Sequence, residues 1–205
     1  AEPWRVPEVS ELPDLRVEFA TEPNHGEEFW PYLRDPETLA RPWAIPGTPG
    51  LMHRIGGIEK EDGTGNISYD PDNHEKMVRL RAAKVAGIAK DIPPLDVDRV
   101  DGARLLVLSW GGTWGVSHAG VYRARARNRR VDWAHLMHLN PFPANIGEVL
   151  AGYDQVLVPE LNMGQLAKLL RMDHDVKVVG LNKIKGVHFR AAEIEACILE
   201  LTDND

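Results

Sequence analysis

A chain of 205 residues with 43% hydrophobic side chains can bury one good core and carry a satellite segment, whereas two full enzyme domains would be cramped. Its formal net charge of −7 argues against a nucleic-acid surface, because phosphate binding needs a net basic face. A single cysteine, Cys197, excludes an intrachain disulfide and any thiolate-held iron–sulfur cluster within the chain, and it reads as core filler.

Nine of the 15 prolines fall in the first fifty residues, interleaved with Trp4, Phe29, Trp30, Tyr32 and Trp43. Proline removes backbone donors and breaks helices and central strands, so this part cannot supply a regular sheet. Its aromatic side chains seek burial, and the arm must lie on something: the chain's own second half or, the favoured reading, a surface of another domain or partner. Residues 41–66 read as loops pinned by turn residues. Asp70-Pro71 opens a helix, with Asp70 as cap and Pro71 in the first turn. That helix runs to about Lys90, with Val78, Ala82, Val85, Ala86 and Ala89 on one apolar face. Pro93-Pro94 ends it and forms a stiff linker.

From residue 101 the pattern alternates as in βαβ units. Strands are expected at Arg104–Trp110, Val131–Leu139, Gln155–Pro159 and Lys177–Leu181. Helices are expected at Val116–Arg127, Ile146–Leu150, Gly164–Arg171 and Arg190–Leu201. The expected organisation is therefore a Pro-rich arm, loops and connecting helix over 1–100, then an α/β domain over 101–205 with a Rossmann-like, open, mainly parallel sheet. No leader sequence and no apolar run of about eighteen residues occurs, which predicts a soluble, cytoplasmic protein with no membrane partner.

Gly111-Gly112-Thr113-Trp114-Gly115 follows the first of these strands and opens a helix, where a dinucleotide loop would lie. Its glycine spacing is wrong for that fingerprint, Trp114 crowds the helix entry, and the second strand lacks the ribose-binding acid. A small anion at the helix N-terminus stays open. The run Arg123, Arg125, Arg127, Arg129, Arg130 reads as a solvated last turn, with a binding patch as the alternative. The eight histidines give no metal constellation: His135 and His138 should sit on opposite faces of a strand, and His174 in a solvated charged loop. Ser109 and Ser117 lie outside any nucleophile motif, and spacing assigns no helper histidine.

Glu160, Asn162 and Gln165 are the most suggestive polar set, at the carboxyl end of a strand and the start of its helix. Glu160 could satisfy orphan helix amides, or the set could meet a partner chain or a ligand. The βαβ order predicts that Gly111–Gly115 and Glu160–Gln165 lie side by side at one sheet edge, with Trp114 as an aromatic anchor of a contact surface. No catalytic residue and no metal ligand is assigned.

Asn140-Pro141-Phe142-Pro143-Ala144-Asn145, followed by Val158-Pro159-Glu160-Leu161-Asn162-Met163-Gly164-Gln165-Leu166, resembles the C-terminal part of the alpha subunit of 2-oxoacid:ferredoxin oxidoreductases, particularly the 2-oxoglutarate type. Pro46-Gly47-Thr48 followed by Gly57-Ile58-Glu59 and an acidic, Gly-containing loop is similar to the same subunit, although Lys60 stands where the family commonly has histidine. The resemblance implies a domain like the transketolase C-terminal domain, preceded in the family by a pyrimidine-binding domain that would lie before Ala1. It implies oxidative decarboxylation on thiamine diphosphate and Mg2+ held with a beta subunit, electrons leaving through an iron–sulfur cluster to ferredoxin, and acyl transfer to coenzyme A. The family's core catalytic residues then lie outside this sequence, so the chain alone is expected to bind none of these cofactors and to be inactive. Its expected role is assembly, including alpha-subunit dimerisation, and a coenzyme A-facing surface. Two other classes stay open: a stand-alone module binding a phosphate-bearing small molecule, and a purely structural subunit.

Overall fold

Proline density decides the architecture of the first part of the chain. In the computed structural model, which describes residues 6–203, Val6–Ala89 form one compact unit and the residues from Lys90 onward another. The first unit has a single 3-10 turn, Val9–Glu11, before residue 70. Its isolated bridges, His25↔Glu28, Tyr32↔Gly63 and Lys60↔Ile67, replace a sheet. Phe29, Ala44 and Leu51 make a small core with Ala20 packed against it. Side chains substitute for the missing ladder: Asn24 brackets the backbone of Trp30 at 2.7 and 3.1 Å, and the Trp30 ring stacks on His25 at 3.5 Å. Trp4 lies outside the described residues.

Helix α1 (Pro71–Gly87) starts as expected, with the Asp70 carboxylate accepting from Asp72 N at 3.1 Å. Its buried side is not the expected one. Met77 alone is buried on α1, while Val78 and Val85 are 45% and 38% exposed. The helix is oriented by Asn73, one turn before Met77, whose side chain donates to Lys60 O at 2.9 Å and accepts from Asp62 N at 3.0 Å. Specific hydrogen bonds to the 60–62 loop outweigh a stripe made mostly of alanine, which has little area to bury.

The second unit takes in β1 (Val97–Asp98), a two-residue strand that lies ahead of residue 101 and has no sequence signal. There follow β2 (Leu105–Trp110), α2 (Trp114–Arg125), β3 (Val131–Leu136), α3 (Ile146–Ala151), β4 (Gln155–Glu160), α4 (Gln165–Asp173), β5 (Val178–Asn182) and α5 (Ala191–Leu201). The sheet order is β1-β3-β2-β4-β5, with β1 antiparallel and the other pairs parallel. The fold is thus the open, mainly parallel α/β sheet that the alternation predicts.

The central strands β2 and β4 bury both faces. Leu106, Leu108, Val156 and Val158 pack with Leu150, Leu166 and Leu170 from α3 and α4. Leu105, Val107 and Leu157 pack on the other side with Val121 and Ala124 of α2 and Ile194 and Ile198 of α5. Helices α2 and α5 approach closely at Gly120, where an added Cβ would lie 2.6 Å from Ile194 Cβ. Cys197 packs against this second core, and burial pushes its thiol pKa up.

The basic run is not a patch of free cations. Arg125 grips both oxygens of Asp98 on β1 at 3.0 Å and also donates to Val131 O, so it ties α2 to the sheet edge. Arg123 and Arg127 hold the buried Glu195 of α5 at 2.7 and 2.9 Å, and Arg129 reaches Asp203. His174 is not in a solvated loop either: it is half-buried near Phe142, with its Nε2 enclosed. Among the described residues no helix is long and apolar enough to cross a membrane.

Candidate functional site at the strand switch point

The chain leaves β2, passes through α2 to β3 on one side, then returns through α3 to β4 on the other side of β2. The two connections diverge from β2, and the ladder between β2 and β4 stops at Val107↔Leu157 although both strands continue. In open α/β sheets the crevice at such a reversal is the usual ligand position. The loops Gly111–Gly115 and Glu160–Gln165 follow these neighbouring parallel strands, so they share one end of the sheet as expected. They lie in its middle and not at an edge, because β3 and β5 flank them.

The glycine loop is a compact turn. Gly111 adopts φ +53, a left-handed conformation that glycine takes without strain. Buried Thr113 clamps the turn, donating from Oγ1 to Trp110 O at 2.8 Å while accepting from Trp110 N at 3.2 Å. Gly112 lies in the 3-10 turn Gly111–Thr113, and Trp114 and Gly115 begin α2.

Glu160 is fully buried and serves its own helix. Its carboxylate accepts from Leu166 N at 2.9 Å and Ala167 N at 3.0 Å, and from Asn162 Nδ2 at 3.2 Å. Asn162 Oδ1 takes the amides of Gly164 and Gln165 at 2.8 and 3.0 Å. The first turn of α4 is therefore saturated by internal acceptors, leaving those amides no anion to hold. Gln165 is exposed. Trp114 does not stand beside this set. Its ring stacks on His118 at 5.2 Å and meets the edge of Trp133 on β3 at 5.5 Å, on the side of β2 away from β4.

That turn of Trp114 exposes a feature that spacing did not assign. Ser109 on β2 is paired in register with His135 on β3, and its fully buried Oγ lies 2.9 Å from His135 Nδ1. The same Oγ accepts from Trp133 Nε1 at 3.0 Å and donates to Ala134 O at 3.2 Å. Trp133 and His135 stand two apart on one face of β3, a period-two signal readable in the sequence once β3 is known to end at Leu136. Because the strand stops there, His138 is not fixed to the opposite face. It lines, with His135, Trp114 and Trp133, a cavity of about 320 Å³ beside β1.

The donor set does not fit the cofactors that the sequence resemblance implies. Among the described residues no group of three His, Cys, Asp or Glu side chains could hold a metal ion. The α4 amides that would suit a diphosphate are bonded to Glu160.

No family model matches the chain. Over 195 residues, 95% of its length, it is 54% identical to the 2-oxoglutarate oxidoreductase subunit KorA of Mycobacterium tuberculosis, and it spans only 29% of that relative. The structure superposes on 2-oxoglutarate:ferredoxin oxidoreductase from Magnetococcus marinus, solved with 2-oxoglutarate, coenzyme A and succinyl-CoA bound, with a TM-score of 0.76 and 28% identity over 87% of this chain and 32% of that one. A split-gene transketolase, an inactive beta4 tetramer, gives a TM-score of 0.43 at 13% identity over 55% of this chain and 43% of its own. The long match in sequence and the match in fold agree with the motifs at 140–145 and 158–166: along nearly all of its length the chain is similar to a portion of a 2-oxoglutarate:ferredoxin oxidoreductase subunit.

Proposed function

We propose that the chain is the framework portion of an alpha subunit whose complete enzyme oxidatively decarboxylates 2-oxoglutarate to an acyl-CoA and passes the electrons to ferredoxin. The observation that carries this reading is the 54% identity along 95% of the chain to a 2-oxoglutarate oxidoreductase subunit. Thiamine diphosphate, Mg2+ and the iron–sulfur cluster belong in this reading to the rest of the subunit and to a beta subunit. The single cysteine and the saturated α4 N-terminus support that division.

The framework role has a physical basis in the first unit. Met52 and Tyr69 are 90% and 89% exposed, and Trp43, Ile45, Ile55 and Ile58 are exposed as well. Apolar exposure at this density is characteristic of an interaction surface. These residues are proposed to meet the rest of the enzyme, through the beta subunit or the alpha dimer, and the switch-point loop with Asn162 and Gln165 to form a second contact near coenzyme A. A stand-alone phosphate-binding module is disfavoured by the Glu160 carboxylate at the α4 N-terminus.

The test is composition. The native protein, isolated by a tag on this chain, should carry thiamine diphosphate and iron in stoichiometric amounts at a mass far above that of the chain. Isolation as a free species lacking both would remove the reading.

A further inference from the structure

The cavity beside β1 lies outside the saturated switch-point loop and has its own chemistry. It is bounded by Trp114, Trp133, His135 and His138 together with Asp96 and Asp98, and among the described residues no lysine or arginine lines it. Its volume of about 320 Å³ is at the small end of ligand pockets and matches a single flat or narrow group. Trp114 and Trp133 meet at 77°, so the two indoles form a corner. The β1–β3 register pairs Val97 with Ala134, and one step further along it Asp96 stands opposite His135.

Ser109 Oγ accepts from Trp133 Nε1 at 3.0 Å and lies 2.9 Å from His135 Nδ1, so it is a positioning residue that holds both rings from behind. Asp98 is neutralised by Arg125, whereas the exposed carboxylate of Asp96 accepts the neighbouring amide of Val97 at 2.9 Å and forms no ion pair among the described residues. The two indole rings and the Asp96 carboxylate favour positive charge, and among the described residues no cation in the lining would compensate an anion.

From this arrangement we propose that the cavity receives a cationic nitrogen group, a guanidinium or alkylammonium, held against the indole corner and hydrogen-bonded to Asp96. The chemistry is shared by a diffusible organic cation and by an arginine or lysine side chain of a partner, and the proposal does not depend on the enzymatic reading above. Calorimetric titration of the full chain with butylguanidinium should saturate with a dissociation constant of about 1 mM, and its neutral isostere butylurea should bind about tenfold more weakly. Asp96→Asn and, separately, Trp114→Leu should each weaken butylguanidinium by about fivefold, with Asp96→Asn leaving the unfolding midpoint unchanged. Tighter binding of acetyl-Gly-Arg-Gly-amide than of butylguanidinium would identify a partner's side chain as the source, and equal or weaker binding a diffusible cation. Equal binding of butylurea, no saturation with either cation, or full affinity in Asp96→Asn would overturn the proposal.

Discussion

Glu160 shows how a suggestive polar residue is consumed by its own fold. A buried carboxylate that accepts from two main-chain amides and a side-chain amide cannot be removed cheaply, because those donors have no water to turn to. Glu160→Ala should lower unfolding stability by about 2–4 kcal/mol, read from urea denaturation. A loss of a few tenths would mean that the amides find other partners. Tyr153 gives a pH signature. Burial first, and then its hydrogen bond of 2.6 Å to Asp132, push the phenol well above its ordinary value of 10.0. A raised pKa resists ionisation in the folded state, so this contribution is whole below pH 10 and is lost as pH rises beyond it. Above that pH the native chain should lose stability more steeply than Tyr153→Phe, and parallel profiles would contradict the linkage. Glu160 as a helix cap was legible in sequence because its partners are local, within seven residues. The Ser109–His135 pair was not, because residues 26 apart meet only through strand pairing.

The strands and helices of the α/β unit were legible because long apolar runs alternate with helical patterns, and their ends shifted by only a few residues. β1 escaped notice since two residues carry no periodicity, and it is held by Arg125 and the β3 edge instead of by its own pattern. The apolar stripe of α1 misled for the opposite reason: a real pattern was present, but the Asn73 hydrogen bonds turned another side inward. Close packing of α2 on α5 makes Gly120 a sharp test. Gly120→Ala would place a methyl 2.6 Å from Ile194 Cβ and 3.1 Å from the Ala191 carbonyl oxygen. It should destabilise by about 1–3 kcal/mol despite the better helix propensity of alanine. A stabilised variant would show that α5 moves away without cost.

The chain comprises an α/β unit with two hydrophobic cores and an irregular unit rich in exposed apolar residues. Strands buried under their own helices should make residues 101–203 resistant to limited proteolysis, with early cuts falling in the first fifty residues. Rapid cleavage between residues 104 and 170 with the arm intact would reverse that order. The resemblance was legible because the Pro-x-Pro and Pro-Glu-x-Asn-x-Gly-Gln motifs mark specific turns, whereas the exposed apolar side chains of the first unit carry no sequence signal that says what meets them. The central proposal is that this chain serves as framework for a 2-oxoglutarate:ferredoxin oxidoreductase and leaves the catalytic groups to the rest of the enzyme. The most direct measurement is 2-oxoglutarate-dependent reduction of ferredoxin in the presence of coenzyme A, made on the native complex and on the 205-residue chain alone. The account predicts turnover by the complex and none by the chain; an inactive complex, or turnover by the isolated chain, would contradict it.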